Sequence, residues 1–218
     1  MFRPNSTENN SLTLILQIDR ETAVLIICGF AFILWTVGLQ TEGMIMAKIL
    51  TSFFARADEN YFGGSMRYVK VGNTEIVCGI IKDLINTDSF KIEMKEPYSP
   101  AYKTCIEEAR KDLKEKARPQ LVSMPESIDG YDTIVLAYPN YWGTMPMAVF
   151  TFLEAFDFSK KTILPLCTNE GSGMGGSERD IRQTCPGADV KKGLSVTGSQ
   201  AANSKDSVQK WLRANGLL

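Results

Sequence analysis

The feature that confines this chain most is an alternation that starts near residue 48 and repeats five times. Short apolar, β-prone runs alternate with segments whose apolar residues recur at helical spacing. Lys48–Phe54 (KILTSFF) is the first run, and Thr74–Ile85 then sets Ile76, Val77, Ile80, Ile81, Leu84 and Ile85 along one helical stripe. Phe90–Met94 is a second strand, followed by a charged amphipathic helix over Tyr102–Ala117 with Cys105, Ile106, Ala109 and Leu113 on one face. Asp132–Tyr138 (DTIVLAY) is almost continuously apolar, as a strand covered on both faces must be. An aromatic-rich helix over Met147–Phe158 leads to a fourth strand, Lys161–Cys167, despite Pro165. Glu178–Thr184 is a short helix and Val190–Val196 a fifth strand. Lys205–Ala214 closes the chain as a helix with Val208, Trp211 and Leu212 inward, stopped by Gly216. This pattern predicts an α/β domain: a three-layer, doubly wound, five-stranded parallel sheet with helices on both faces. Five strands are too few for an eight-stranded barrel. In open sheets of this kind ligands bind beyond the carboxyl ends of the strands, at the switch point. The loops after strands one, three and four are therefore predicted to carry function.

Ahead of the alternation, Thr22–Leu39 runs TAVLIICGFAFILWTVGL, 18 residues without a charge. A membrane-spanning helix needs about 20 apolar residues, with a lower limit of about 17, and Trp35 suits a membrane interface. The run starts late, behind Asp19, Arg20 and Glu21, and Val37-Gly38-Leu39 makes a poor cleavage site, which argues against a signal peptide. It has no polar face to suit a helix packed on the domain. Two readings stand side by side. Residues 22–39 form a hydrophobic helix that anchors the chain in a membrane, or residues 1–45 are appended by a mis-set start and are no part of the natural product, since Met44 and Met46 lie just before the first strand. The expected division is an extension over 1–46 and a folded domain over 47–218. That domain is expected in the cytoplasm, with membrane attachment through 22–39 under the first reading.

Charge and composition exclude several function classes. Lys plus Arg number 24 against 25 Asp plus Glu, a net charge of −1, so no nucleic-acid partner is expected. There is no histidine. Imidazole acid–base catalysis, Ser/His and Cys/His nucleophiles and His-containing metal sites are thereby ruled out, and no metal site is expected. The five cysteines, at 28, 78, 105, 167 and 185, are widely spaced and form no Cys-x-x-Cys pair, as suits reduced thiols.

The first loop ends in Val71-Gly72-Asn73-Thr74-Glu75, directly before the first helix. A glycine beside two polar residues at a helix start has the chemistry of a phosphate cradle; capping of the helix by Asn73 or Thr74 is the competing account. Neither the ATP/GTP phosphate-loop pattern nor the Gly-x-Gly-x-x-Gly dinucleotide fingerprint is present. After the third strand comes Tyr138-Pro139-Asn140-Tyr141-Trp142-Gly143-Thr144-Met145-Pro146, where two adjacent rings can wall a planar ligand and Gly143 offers an open backbone N–H. After the fourth comes Thr168-Asn169-Glu170-Gly171-Ser172-Gly173-Met174-Gly175-Gly176-Ser177, with four glycines in six residues, expected to be a flexible loop.

Together these loops resemble the flavodoxin-like family of FMN proteins over about residues 47–218. The closest likeness is to a short-chain subgroup with a strand ending Phe-Phe-Ser-Arg-Thr, then Gly-Asn-Thr, then Tyr-Pro-x-Tyr-Trp-Gly-x-x-Pro. Phe53-Phe54-Ala55-Arg56-Ala57 stands for the first motif, Gly72-Asn73-Thr74 for the second, and Tyr138–Pro146 matches the third almost in full. Gly171-Ser172-Gly173 looks like the family's third FMN loop. Ala55 and Ala57 replace residues that usually carry hydroxyls, and an insertion, Asp58–Val71, splits the phosphate loop. The resemblance implies noncovalent FMN with its phosphate on backbone N–H groups, Arg56, Asn73 and Thr74. Pro139, Asn140, Tyr141, Trp142 and Gly143 would then lie against the ring, with Glu170, Gly171, Ser172 and Gly173 beside it. Tyr61 and Phe62 of the insertion would fold over the flavin or its ribityl chain. No catalytic side chain is assigned.

The implied function is electron transfer through FMN, with a redox protein or a small-molecule electron acceptor as partner. An NAD(P)H-dependent flavin or quinone reductase is the first alternative. A noncatalytic, membrane-tethered binding module is an alternative of another class.

Overall fold

The structure, a computed structural model, describes residues 48–218. The expectations for residues 1–47, the hydrophobic helix at 22–39 included, lie outside the described residues. Among the described residues no helix is long and apolar enough to cross a membrane.

β1 (Ile49–Phe53) lies between β4 (Asp88–Lys91) and β5 (Thr133–Pro139), and β5 pairs in turn with β6 (Thr162–Asn169), all in parallel. Beyond β6 lie β7 (Asp189–Val190) and β8 (Leu194–Thr197), both parallel to it. The chain runs from β1 outward to β4, then returns past β1 to β5, so strand order reverses between β1 and β5. That reversal opens a crevice at their carboxyl ends, where an open α/β sheet holds its ligand.

Alternate residues of β5 serve the two faces, which is why the strand reads as continuously apolar. Val135 and Ala137, with Leu164 and Leu166 of β6, are covered by α1 (Asn73–Leu84) and α5 (Lys205–Ala214) through Val77, Ile81, Val208 and Leu212. Ile134, Leu136 and Tyr138 face α3 (Met147–Glu154) and α4 (Ser177–Thr184) through Phe152, Leu153 and Ile181. α2 (Tyr102–Glu115) buries Cys105 and Ala109.

The expected fifth strand, Val190–Val196, is in fact two, so the sheet has six strands rather than five. The break explains Pro165. β7 pairs with Thr162 and Ile163, and β8 with residues from Leu166 onward, which leaves Pro165 opposite the gap. Thr162 donates to Asp132 and Thr168 accepts from Asn140, on the β5 side, whereas Ile163 accepts from Lys191 on the other. Odd-numbered residues of β6 therefore bond outward. The N–H that proline lacks would have pointed at the gap, where no ladder partner waits.

The insertion Asp58–Val71 is itself structured. β2 (Asp58–Phe62) and β3 (Ser65–Val69) form an antiparallel hairpin whose turn residues, Gly63 and Gly64, sit at φ +49° and +113°. Two left-handed residues in a two-residue loop match the right-handed twist of a hairpin. The pair Gly-Gly between two β-prone runs was the available signal.

Candidate functional site

A cleft of about 400 Å3 opens at the carboxyl ends of β1, β5 and β6. The first loop, the hairpin, α2, the two later loops and Gly198 line it.

Its first wall is built where the hairpin closes. A Cβ on Gly72 would lie 2.5 Å from the carbonyl oxygen of Arg56 and 2.9 Å from its carbonyl carbon and amide nitrogen. Gly72, with φ −69°, is thus required for the close approach of the hairpin's two ends and not for a left-handed turn. It brings α1 directly against Arg56, so the insertion leaves both halves of the first loop in place. The Asn60 side-chain amide reaches the carbonyls of Arg56, Ala57 and Asp58 at 3.4, 3.0 and 3.2 Å.

Neither Asn73 nor Thr74 caps α1: the helix has Gly72 at its N-cap and no side-chain cap bond. The Thr74 hydroxyl is buried against that of Thr168 at 2.8 Å, and the Asn73 amide faces Gly198. Among the described residues no side chain caps the first-turn N–H groups of this twelve-residue helix, the arrangement that favours an anion. Arg56 is turned toward protein acceptors. One terminal nitrogen donates to Glu59 O at 2.6 Å and to Asn60 Oδ1 at 3.5 Å, the other to Ser99 O and Pro100 O at 2.8 and 2.7 Å. Its Nε–H is buried with no partner among the described residues, a donor that lacks an acceptor there.

The second wall is the loop after β5. Tyr141 and Thr144 exchange both backbone hydrogen bonds, at 2.8 and 3.2 Å, around Trp142 and Gly143. Trp142 sits at φ +55° and Gly143 at φ +85°. A left-handed tryptophan costs about 1–2 kcal/mol, which the indole offsets by donating to Ile106 O at 2.8 Å and lying under the Arg110 guanidinium at 5.1 Å. The residue stays 48% exposed at the mouth of the cleft. Tyr141 turns inward, edge-on to Phe54 at 6.1 Å and beside Tyr98 at 6.1 Å, with its hydroxyl 3.8 Å from Cys105 Sγ. Burial pushes the Tyr141 phenol well above its ordinary range and raises the Cys105 thiol against the opposing pull of Arg56. Both groups are neutral wall material at neutral pH. The expected open N–H of Gly143 is taken: it donates to Asn140 Oδ1 at 2.8 Å.

The third wall, expected to be flexible, is laced down. Asn169 Oδ1 accepts from the N–H groups of Gly171 and Gly173, both at 2.9 Å. Asn140 Nδ2 donates to Gly173 O at 2.8 Å, and Gly176 N donates to Gly143 O at 2.7 Å. Asn169 so folds its own loop, and Asn140 with the Gly176–Gly143 bond ties that loop to the one after β5. The Glu170 carboxylate accepts from Gly63 N–H at 3.1 Å and from Ser199 N–H at 2.5 Å. Across the cleft, Tyr61 stacks on Tyr102 with ring centroids 6.4 Å apart.

Of the residues expected at the site, Arg56, Asn73, Thr74, Pro139, Asn140, Tyr141, Trp142, Gly143, Glu170 and Ser172 line the cleft, as does Tyr61. Ala55, Ala57, Gly72, Gly171, Gly173 and Phe62 are not among its lining residues. Asn60, Tyr102, Cys105, Ile106, Ala109, Thr168, Asn169 and Gly198 also line the cleft, none of them expected from the sequence. The α2 members carry the same apolar stripe as any helix packed on a core, so periodicity cannot mark them as cleft residues.

A family model described as flavodoxin matches residues 65–215. Among solved structures, a candidate flavoprotein from Bacteroides eggerthii DSM 20697 is 22% identical, with a TM-score of 0.64 over 79% of this chain and 99% of that one. Another, from Bacteroides uniformis ATCC 8492, is 23% identical, with a TM-score of 0.62 over 77% and 98%. A flavoprotein from Lactobacillus acidophilus NCFM, solved in complex with FMN, is 15% identical, with a TM-score of 0.54 over 76% and 98%. No curated protein matches the chain. At these identities the structural likeness speaks for the fold. The family match takes in Gly72–Thr74 and both later loops, and the structure adds β1 in its place beside β5, so the chain belongs to the flavodoxin family.

Proposed function

We propose that this chain binds FMN noncovalently in the cleft and uses it to transfer electrons. The observation that carries the proposal is the pairing of two unlike ends in one cleft. At one end stand the uncapped start of α1 and the unpartnered Nε–H of Arg56; at the other stand the half-exposed Trp142 ring and the inward-turned Tyr141. A phosphoryl group suits the first end and a planar ring system the second. The residues present fit the group even with Ala55 and Ala57 in place of hydroxyls, because backbone donors and one charged side chain remain. Asn73 and Thr74 would sit beside the phosphoryl group, and Trp142, with Tyr141 behind it, against the ring. Bound FMN would supply the redox chemistry. The chain would orient the ring, limit its contact with water and leave an edge at the exposed mouth for a redox protein or small electron acceptor.

The full chain should take up FMN in preference to FAD, seen as flavin absorbance that survives gel filtration. A preference for FAD, or no uptake of either, would overturn the proposal. Mixing the loaded protein with NADH or NADPH then separates two roles: rapid bleaching marks a reductase, and reduction by another electron donor alone marks a carrier.

Trp142→Ala should weaken FMN binding roughly two- to tenfold, since ring stacking contributes about 0.5–1.5 kcal/mol. It should also raise the flavin potential, because better access of water favours the charged reduced form. Titration and spectroelectrochemistry check both; if neither moves, the Trp142 ring serves only to pack on α2.

A further inference from the structure

The hairpin is tied at its root, its middle and its tip. At the root, Gly72 packs on the backbone of Arg56, whose guanidinium holds Ser99 and Pro100. In the middle, Glu59 Oε2 accepts from Tyr102 N–H at 2.9 Å, and Glu59 N–H donates to Pro100 O at 3.2 Å. At the tip, Gly63 N–H meets Glu170 Oε2 at 3.1 Å. The same carboxylate is fixed from below by Ser199, whose N–H donates to Oε1 at 2.5 Å and whose hydroxyl donates to Oε2 at 3.1 Å. Gly198 leaves room for this, since a Cβ there would lie 2.9 Å from Glu170 Oε1.

The distances suit a span. β1, where the hairpin is rooted, and β6, which ends in the Glu170 loop, are separated by β5 alone. Two strand spacings are about 10 Å, and a five-residue arm reaches about 16 Å. An arm of that length carries the hairpin's tip from its root after β1 to the loop after β6, where Gly63 meets Glu170. Tyr61 faces the cleft from the hairpin.

We propose that Glu170 is a positioning residue whose carboxylate clasps the hairpin as an arch over the end of the cleft where α1 begins, and so sets how slowly a ligand leaves that end. The proposal rests on the assignment of FMN to this cleft. It gives Glu170 a role apart from contact with the flavin. It also gives the insertion a role: a ligand under the arch exchanges past Trp142 or waits for the clasp to open.

The test uses the full chain loaded with FMN, with release and association followed by flavin fluorescence. Glu170→Ala should release FMN about tenfold faster, the factor expected for loss of one charge-assisted hydrogen bond. Glu170→Gln, which keeps one acceptor oxygen, should fall between. Association should be as fast as in the parent or faster, because an opened arch eases entry. General damage would instead slow association by depleting the competent state. Glu178→Gln is the control: Glu178 accepts from Gly193 N–H at 2.6 Å and does not line the cleft, so its loss should leave release unchanged. Unchanged release in Glu170→Ala, or faster release together with slower association, overturns the proposal. If the parent protein takes no FMN, the cofactor assignment falls and amide hydrogen exchange still decides the clasp. Faster exchange across residues 58–69 in Glu170→Ala upholds it, and unchanged exchange ends it.

Discussion

Replacing Gly72 with alanine is expected to lower FMN affinity tenfold or more and to remove about 1–3 kcal/mol of stability, the usual result of forcing atoms into a filled space. The space here is bounded by backbone: the new Cβ would lie 2.5 Å from Arg56 O. A flexible side chain could swing aside, but a main-chain carbonyl at the root of a hairpin moves only if the hairpin or α1 moves with it. Either shift parts the start of α1 from Arg56, the two features assigned to the phosphoryl group. Gly79, on the same helix, is the matched comparison, because a Cβ there meets nothing within 4 Å. Gly79→Ala should leave affinity unchanged and stabilise the chain by up to about 1 kcal/mol through helix propensity. Urea unfolding and flavin titration of the two variants check the pair. Parental affinity in Gly72→Ala would show that the hairpin root is dispensable to the site.

Phe152→Ala is expected to destabilise the domain by about 3–5 kcal/mol, a large share of the roughly 5–15 kcal/mol that holds a domain folded. Phe152 is fully buried. It stacks on Phe90 at 5.6 Å and meets Phe156 and Phe158 at 5.5 and 6.1 Å. Truncation leaves a void lined by three other rings, which a close-packed core fills only in part. The ring does not line the cleft, so the folded fraction should bind FMN as the parent does. A loss below about 1 kcal/mol, measured by urea unfolding, would contradict a core position for this ring.

The two substitutions separate what is local in the chain from what is not. The strand–helix alternation was legible because apolar period is a local property, set by which faces of an element must leave water. It predicted β5, α1 and α5 nearly to the residue, and the general place of the cleft followed from the reversal rule for open sheets. The Tyr138–Pro146 loop was legible for a different reason, since its glycine, prolines and paired rings are adjacent in sequence. The split of the last strand was not legible. Val190–Val196 has strand-like residues throughout, and only the sheet shows the gap beside Pro165. Nor was the hairpin's role: Glu170 reads as a loop acid until folding brings Gly63, 107 residues away, to its carboxylate. The same holds for Arg56, whose acceptors at Ser99 and Pro100 lie 43 and 44 residues on. By itself the sequence determined the layers, the sheet's direction and which loops would gather at its carboxyl edge, because each depends on patterns within about a dozen residues. Tertiary structure alone decided which donors in those loops are already engaged within the protein, and which are left for a ligand, because hydrogen bonds form between groups that meet only after the chain has folded.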